Sequence, residues 1–113
     1  MKNLIKYLSI ITLVLAFIAC ADESPGMRVK NERTTKANVQ IKTVNNTINQ
    51  NDVQPGTVTN YQEVSEGAIE VTAGIQNETV TPTKNFNSEN NNNYTIVILN
   101  STPPTIRIDV TDK

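Results

Sequence analysis

The chain offers one thiol, Cys20, and no imidazole. Without histidine the usual general base at neutral pH is missing. The Ser-His-Asp arrangement cannot form, and the commonest zinc ligand is gone. The four glycines, Gly26, Gly56, Gly67 and Gly74, are isolated, so no glycine-rich phosphate loop exists. Carboxylates are what remain for acid–base work, and Glu63, Glu66 and Glu70 are the densest group. Paired carboxylates hydrolyse glycosides when held across a cleft. Here the spacing places Glu66 in a turn and Glu70 on the wet side of a strand, beside Ile69 and Val71. Asp22, Glu23, Asp109 and Asp112 fall in no D-x-[DN]-x-[DN]-G calcium loop. The expectation is a chain with no catalytic residue, no metal and no cofactor, and not an enzyme.

Cys20 takes its meaning from what precedes it. Lys2 and Lys6 give a positive start, and Tyr7 to Ala19 is apolar except for Ser9 and Thr12. Small Ala19 comes just before the cysteine. That order is a secretory signal. As a helix the apolar run would reach roughly 20 Å, short of a hydrocarbon core of about 30 Å. Phe17, Ile18, Ala19 and Cys20 resemble the lipobox of bacterial lipoproteins, with Phe17 where leucine is commonest. The resemblance implies cleavage before Cys20, a diacylglyceryl thioether on its sulfur, and acylation of the new amino terminus by a palmitate-type chain. Each buried CH₂ of such chains contributes roughly 0.8 kcal/mol, so two or three chains hold essentially permanently.

Residues 1–19 are thus expected to be a signal peptide, 20–26 a lipidated flexible tether, and 27–113 a single folded domain. Without Lys2 and Lys6, 8 basic residues face 11 acidic ones, a net charge of about −3. No basic stripe is left for nucleic acid. With no second cysteine the domain must cohere without a disulfide.

The elements that must position these groups are strands. Apolar residues alternate with polar ones in Met27–Asn31, Ala37–Val44, Ala68–Ala73 and Ile106–Val110. Ile48 to Val53 is a weaker candidate, and Thr57 to Val64 a strand containing Tyr61. An edge strand is expected around Thr79 and Val80. Tyr94 to Leu99 is apolar on both faces, which predicts a central strand. Gln54-Pro55-Gly56 predicts a type II turn. The asparagine-rich stretches Asn45–Asn51 and Asn85–Asn93 read as loops. About seven short strands predict an all-β, small immunoglobulin-like antiparallel sandwich, although the Cys-Trp-Cys core of antibody domains is missing. Tyr94 and Phe86 are expected to help fill the core, with Tyr61 at a sheet edge.

MRVKNERTTKANVQI, VQPGTVTNYQEVSEGAIEVTA and NNNYTIVIL, taken in that order, resemble uncharacterised β-sandwich domains of envelope lipoproteins, many from Bacteroidetes. Asp22 and Glu23 after the cysteine resemble export signals to the outer surface of such cells. The resemblance implies a lipid-anchored protein of the cell envelope, at the outer membrane on its periplasmic or surface face. It brings no ligand-binding residue. The expected role is a non-enzymatic binding or structural module whose partners are the membrane and an envelope protein. The alternative is a glycan-recognition module or an inhibitor of a secreted enzyme.

Overall fold

A computed structural model describes residues 21–113; the expected signal segment and Cys20 lie outside the described residues. The strands are β1 (Gly26–Asn31), β2 (Ala37–Lys42), β3 (Thr47–Val53), β4 (Gln62–Glu63), β5 (Gly67–Ile75), β6 (Thr83–Ser88), β7 (Asn92–Ile98) and β8 (Ile106–Asp112), with no helix among the described residues. They form two four-stranded sheets, β4-β1-β7-β8 and β3-β2-β5-β6. The all-β sandwich that the alternation predicts is therefore the fold, built from eight strands rather than seven. One pair departs from the antiparallel expectation: β1 runs parallel to β7, from Gly26 opposite Asn93 to Asn31 opposite Ile98. The likeness to an immunoglobulin domain lies in the two packed layers.

The period-two pattern explains the layers. Met27 and Val29 of β1, Val39 and Ile41 of β2, and Ile69, Val71 and Ala73 of β5 point inward and are buried. Tyr94, Ile96 and Ile98 of β7 join them in one core. β7 lies between β1 and β8, and its Val97 is fully buried on the opposite face. There Val97 is flanked by Lys30 and Arg107 in register. Glu32 joins the two cations, 3.7 Å from Lys30 and 3.9 Å from Arg107. Their aliphatic stems cover the valine while the charged heads stay wet.

Several expectations are corrected. The segment Thr57–Val64 forms a strand only at Gln62–Glu63; ahead of it Val58 makes a single antiparallel bridge to Lys30, where the Thr59 side chain takes over one ladder bond. The Thr59 backbone N–H donates to the Val29 carbonyl, and its hydroxyl accepts from the Val29 N–H, both at 2.9 Å. The edge strand expected at Thr79–Val80 lies instead at Thr83–Ser88, and β5 runs on to Ile75. The two asparagine-rich stretches are mostly strand. Asn49 and Asn51 belong to β3, and Asn85 and Asn87 to β6, all exposed on edge strands. Only the Thr43–Asn46 turn and the Glu89–Asn91 turn remain as loops.

The chain is fastened before β1 begins. Pro25 is buried, and its carbonyl accepts from the Val64 N–H. Glu23 and Asn91 exchange two hydrogen bonds: the Glu23 N–H donates to Asn91 Oδ1 at 2.9 Å, and the Asn91 N–H to the Glu23 carbonyl at 2.8 Å. Asn91 holds this position at φ 69°, a left-handed conformation that asparagine tolerates better than most residues. Gly26 follows in close quarters, where an added Cβ would collide with the Asn93 side-chain oxygen.

Two substitutions test this architecture by denaturant unfolding. Ile98→Ala should cost roughly 2–5 kcal/mol, because Ile98 is fully buried in the central strand. Glu70→Gln, on the wet face of β5, should change stability by less than about 1 kcal/mol. A harmless Ile98→Ala would mean that the core lies elsewhere.

Candidate functional site

β1 and β7 run the same way, and β8 returns antiparallel to β7. The sandwich therefore has two distinct ends. At one end, which Arg33 marks, inward alternation along β1 continues past Met27 and Val29 to Asn31, a fully buried amide. Asn31 Nδ2 donates to the carbonyls of Thr35 and Val53, both at 2.9 Å. Its Oδ1 accepts from the Arg33 N–H at 3.0 Å. Its backbone carbonyl accepts from the Gly56 N–H at 2.7 Å, and its own N–H donates to the Thr57 carbonyl. Gly56 sits at φ 72°, as the third position of a type II turn requires. The Asn31 side chain thus ties the β1–β2 connection to the end of β3, and its backbone holds the Pro55-Gly56 turn beside them.

Arg33, held by this knot, is itself buried. Its Nη1 donates to the carbonyls of Leu99 and Ser101 at 2.9 and 3.0 Å. Its Nη2 pairs with Glu78 at 2.7 Å. Arg33 Nε has no partner. A shallow hollow of about 370 Å³ opens nearby, lined by Lys36, Asn38, Gly74, Gln76, Glu78 and Thr81 among others. Lys36 is also paired with Asp52 at 3.4 Å. The chemistry this lining offers is recognition through hydrogen bonds and single charges. Neither Asn31 nor Arg33 was singled out as a candidate by residue type; the phase of the β1 alternation is the signal that would have found Asn31.

The opposite end gathers Glu23, the Thr43–Asn46 and Glu89–Asn91 turns, and the segment after β4. A second hollow, about 470 Å³, is lined there by Ser24, Asn45, Asn46, Glu63, Val64 and Ser65. The three carboxylates considered for catalysis are dispersed. Glu63 lies on β4 in one sheet, 3.9 Å from Lys113, and Glu70 on β5 in the other, 3.7 Å from Lys42. Glu66 caps the β6–β7 turn, accepting from the Asn90 N–H at 2.9 Å. Of the calcium candidates, Asp22 accepts from Asn91 Nδ2, and Asp109 pairs with Arg107 on the outer face. Among the described residues no group of three or more metal-binding side chains converges.

The aromatics form no common platform. Phe86 and Tyr94 pack on each other, centroids 5.4 Å apart, and the Tyr94 hydroxyl accepts from the Glu89 N–H at 2.8 Å. Tyr61 is exposed outside the β4-β1-β7-β8 sheet, with the Arg28 guanidinium 4.6 Å from its ring centroid. Arg28 Nε also donates to Thr95 Oγ1 at 3.0 Å. Farther along that outer face Arg107 grips Asp109 through two hydrogen bonds, of 2.8 and 3.0 Å.

This bidentate hydrogen bonding holds the Asp109 carboxyl below its ordinary range and raises the Arg107 guanidinium. An acid whose folded pKa is depressed stabilises the fold above its unfolded pKa. That contribution disappears as pH falls through the folded value. The pair is solvent-exposed, so its effect is small and screened by salt. In acid titrations of stability at low salt, Asp109→Asn should flatten the acid limb, and added salt should do the same to the unsubstituted protein. An acid limb unchanged by Asp109→Asn would show that other carboxylates set it.

Comparison with known proteins adds one finding. No curated protein matches the chain. A family described as a domain of unknown function, DUF4397, matches from residue 25 to residue 113, beginning at Pro25, the first buried residue among those described. With nearly the whole described fold inside that match, the chain belongs to the DUF4397 family.

Proposed function

We propose that this chain is a lipid-anchored protein of the bacterial cell envelope, held at the outer membrane by acyl chains on Cys20. In this reading its DUF4397 domain is a non-enzymatic binding or structural module for an envelope protein partner. The observation that carries the reading is the order of the first twenty residues. A positive start, an apolar run and a small residue lead directly to the one cysteine of the chain. The start of the ordered fold suits it, since Glu23 is already fastened to Asn91 three residues after that cysteine. The non-enzymatic part is supported by the dispersal of Glu63, Glu66 and Glu70 over separate elements, in a chain without histidine. The protein partner is favoured over a glycan because Tyr61 stands apart from the Phe86–Tyr94 pair.

The anchor is tested in cells by Cys20→Ser. The expected outcome is loss of labelling by tagged palmitate and accumulation of the unprocessed chain. Normal maturation and continued partitioning into membranes would refute the anchor. For the domain, Glu63→Gln, Glu66→Gln and Glu70→Gln should each leave any biological phenotype intact. A folded variant of this set that lost function would overturn the non-enzymatic reading.

A further inference from the structure

The two ends of the sandwich are not equivalent if the chain is anchored at Cys20, and the difference follows from reach. Cys20 and Glu23 are separated by three residue steps, which span at most about 11 Å when fully extended. From Glu23 onward the chain is fixed. Glu23 is bonded to Asn91, Pro25 is buried with its carbonyl bonded to Val64, and β1 begins at Gly26. The same Asn91 accepts the Lys113 N–H on its carbonyl at 2.9 Å, so the end of β8 is drawn into the same clasp. A seven-residue strand such as β7 rises about 23 Å, roughly twice the reach of the leash.

We propose, resting on the lipid anchor proposed above, that the sandwich stands on its Glu23 end. The Thr43–Asn46 and Glu89–Asn91 turns then face the lipid headgroups, and the Arg33 end is carried out into water. The partner of the Glu23 end is the lipid surface itself. Its approach is governed by the leash and not by adhesion, because Asp22, Glu23, Glu63, Glu66, Glu89 and Asp112 gather there against Lys113. Those carboxylates keep the end hydrated above the headgroups. Lying flat would bring no compensating contact, since both outer faces carry charges already paired within the protein, Arg107 with Asp109 on one and Lys42 with Glu70 on the other. The Arg33 end, with its hollow beside Glu78 and the exposed Val80, is the surface left open to a second protein.

The chain has no tryptophan, so a single introduced one reports its surroundings cleanly. Val44 and Val80 are both exposed and lie at the two ends, which makes them a matched pair of sites. The full-length protein carrying Val44→Trp or Val80→Trp is produced in bacteria and purified from their membranes. It is then reconstituted into phosphatidylcholine vesicles containing a lipid with a nitroxide on its headgroup. Mass spectrometry of the same samples reads the diacylglyceryl group on Cys20. The expected result is several-fold stronger quenching of Val44→Trp than of Val80→Trp. Equal quenching of the two, or stronger quenching of Val80→Trp, on a protein that carries the lipid would overturn the orientation and leave the anchor standing. A mass without the lipid would remove the anchor, and the orientation with it.

Discussion

The fold turns on the burial of one amide. Asn31 occupies a position that the β1 alternation assigns to the core, and a polar side chain there is costly unless its hydrogen bonds are made. Both of its N–H donors and its oxygen are used, two on backbone groups of the β1–β2 connection and one on the last carbonyl of β3. Those backbone groups would otherwise be buried without partners. The interaction therefore runs in both directions: Asn31 is tolerated because the turns close on it, and the turns close because Asn31 is there. Arg33 extends the same logic across the sandwich, reaching the carbonyls of Leu99 and Ser101 beyond the end of β7. Two sheets that share no backbone ladder are thus stitched at one end by side-chain donors.

The other end is closed by backbone. Asn91, in its left-handed conformation, receives the incoming chain at Glu23 and the outgoing chain at Lys113. Buried amide and guanidinium at one end, exposed turn and backbone clasp at the other, make a sandwich whose ends differ in chemistry although its layers are alike.

How much of this was legible in the residues follows from where each signal resides. β2 and β5 bury one face and announce themselves by alternation, and β7 by the absence of polar interruption; β8 alternates too, but buries Ile106 and half-buries Ile108 while Val110 stays exposed. β6 and most of β3 are edge strands whose exposed positions are filled by asparagine, lysine and threonine. Period-two burial survives there only at Phe86 and Ser88 in β6 and at Ile48 and Gln50 in β3, with Val53 buried beyond the bulge. With so few inward side chains, the turn preference of asparagine dominates the reading. Thr57–Val64 misleads in the opposite sense: its composition is strand-like, yet a threonine hydroxyl takes over a ladder bond that only the folded chain reveals. The Asn31–Arg33 knot was beyond sequence reading for a related reason. Its partners are strand-end carbonyls, which carry no residue signature, and Glu78, distant in the chain. The dispersal of the glutamates, by contrast, was already implied by the alternation around Glu70.

The edges of the two sheets have a consequence for molecules crowded side by side. β4 ends one sheet after two residues. β3 is broken by a bulge where Asp52, at φ 54°, takes the Asn38 side chain for its N–H in place of a ladder partner. The remaining edges carry Lys84 on β6, and Arg107 with Asp109 on β8. A neighbouring strand seeking to extend either sheet meets a stub, a kink or a fixed charge, and each of these blunts edge-to-edge joining. Crowded copies can therefore touch without zipping into continuous sheets, and each remains a separate folded unit.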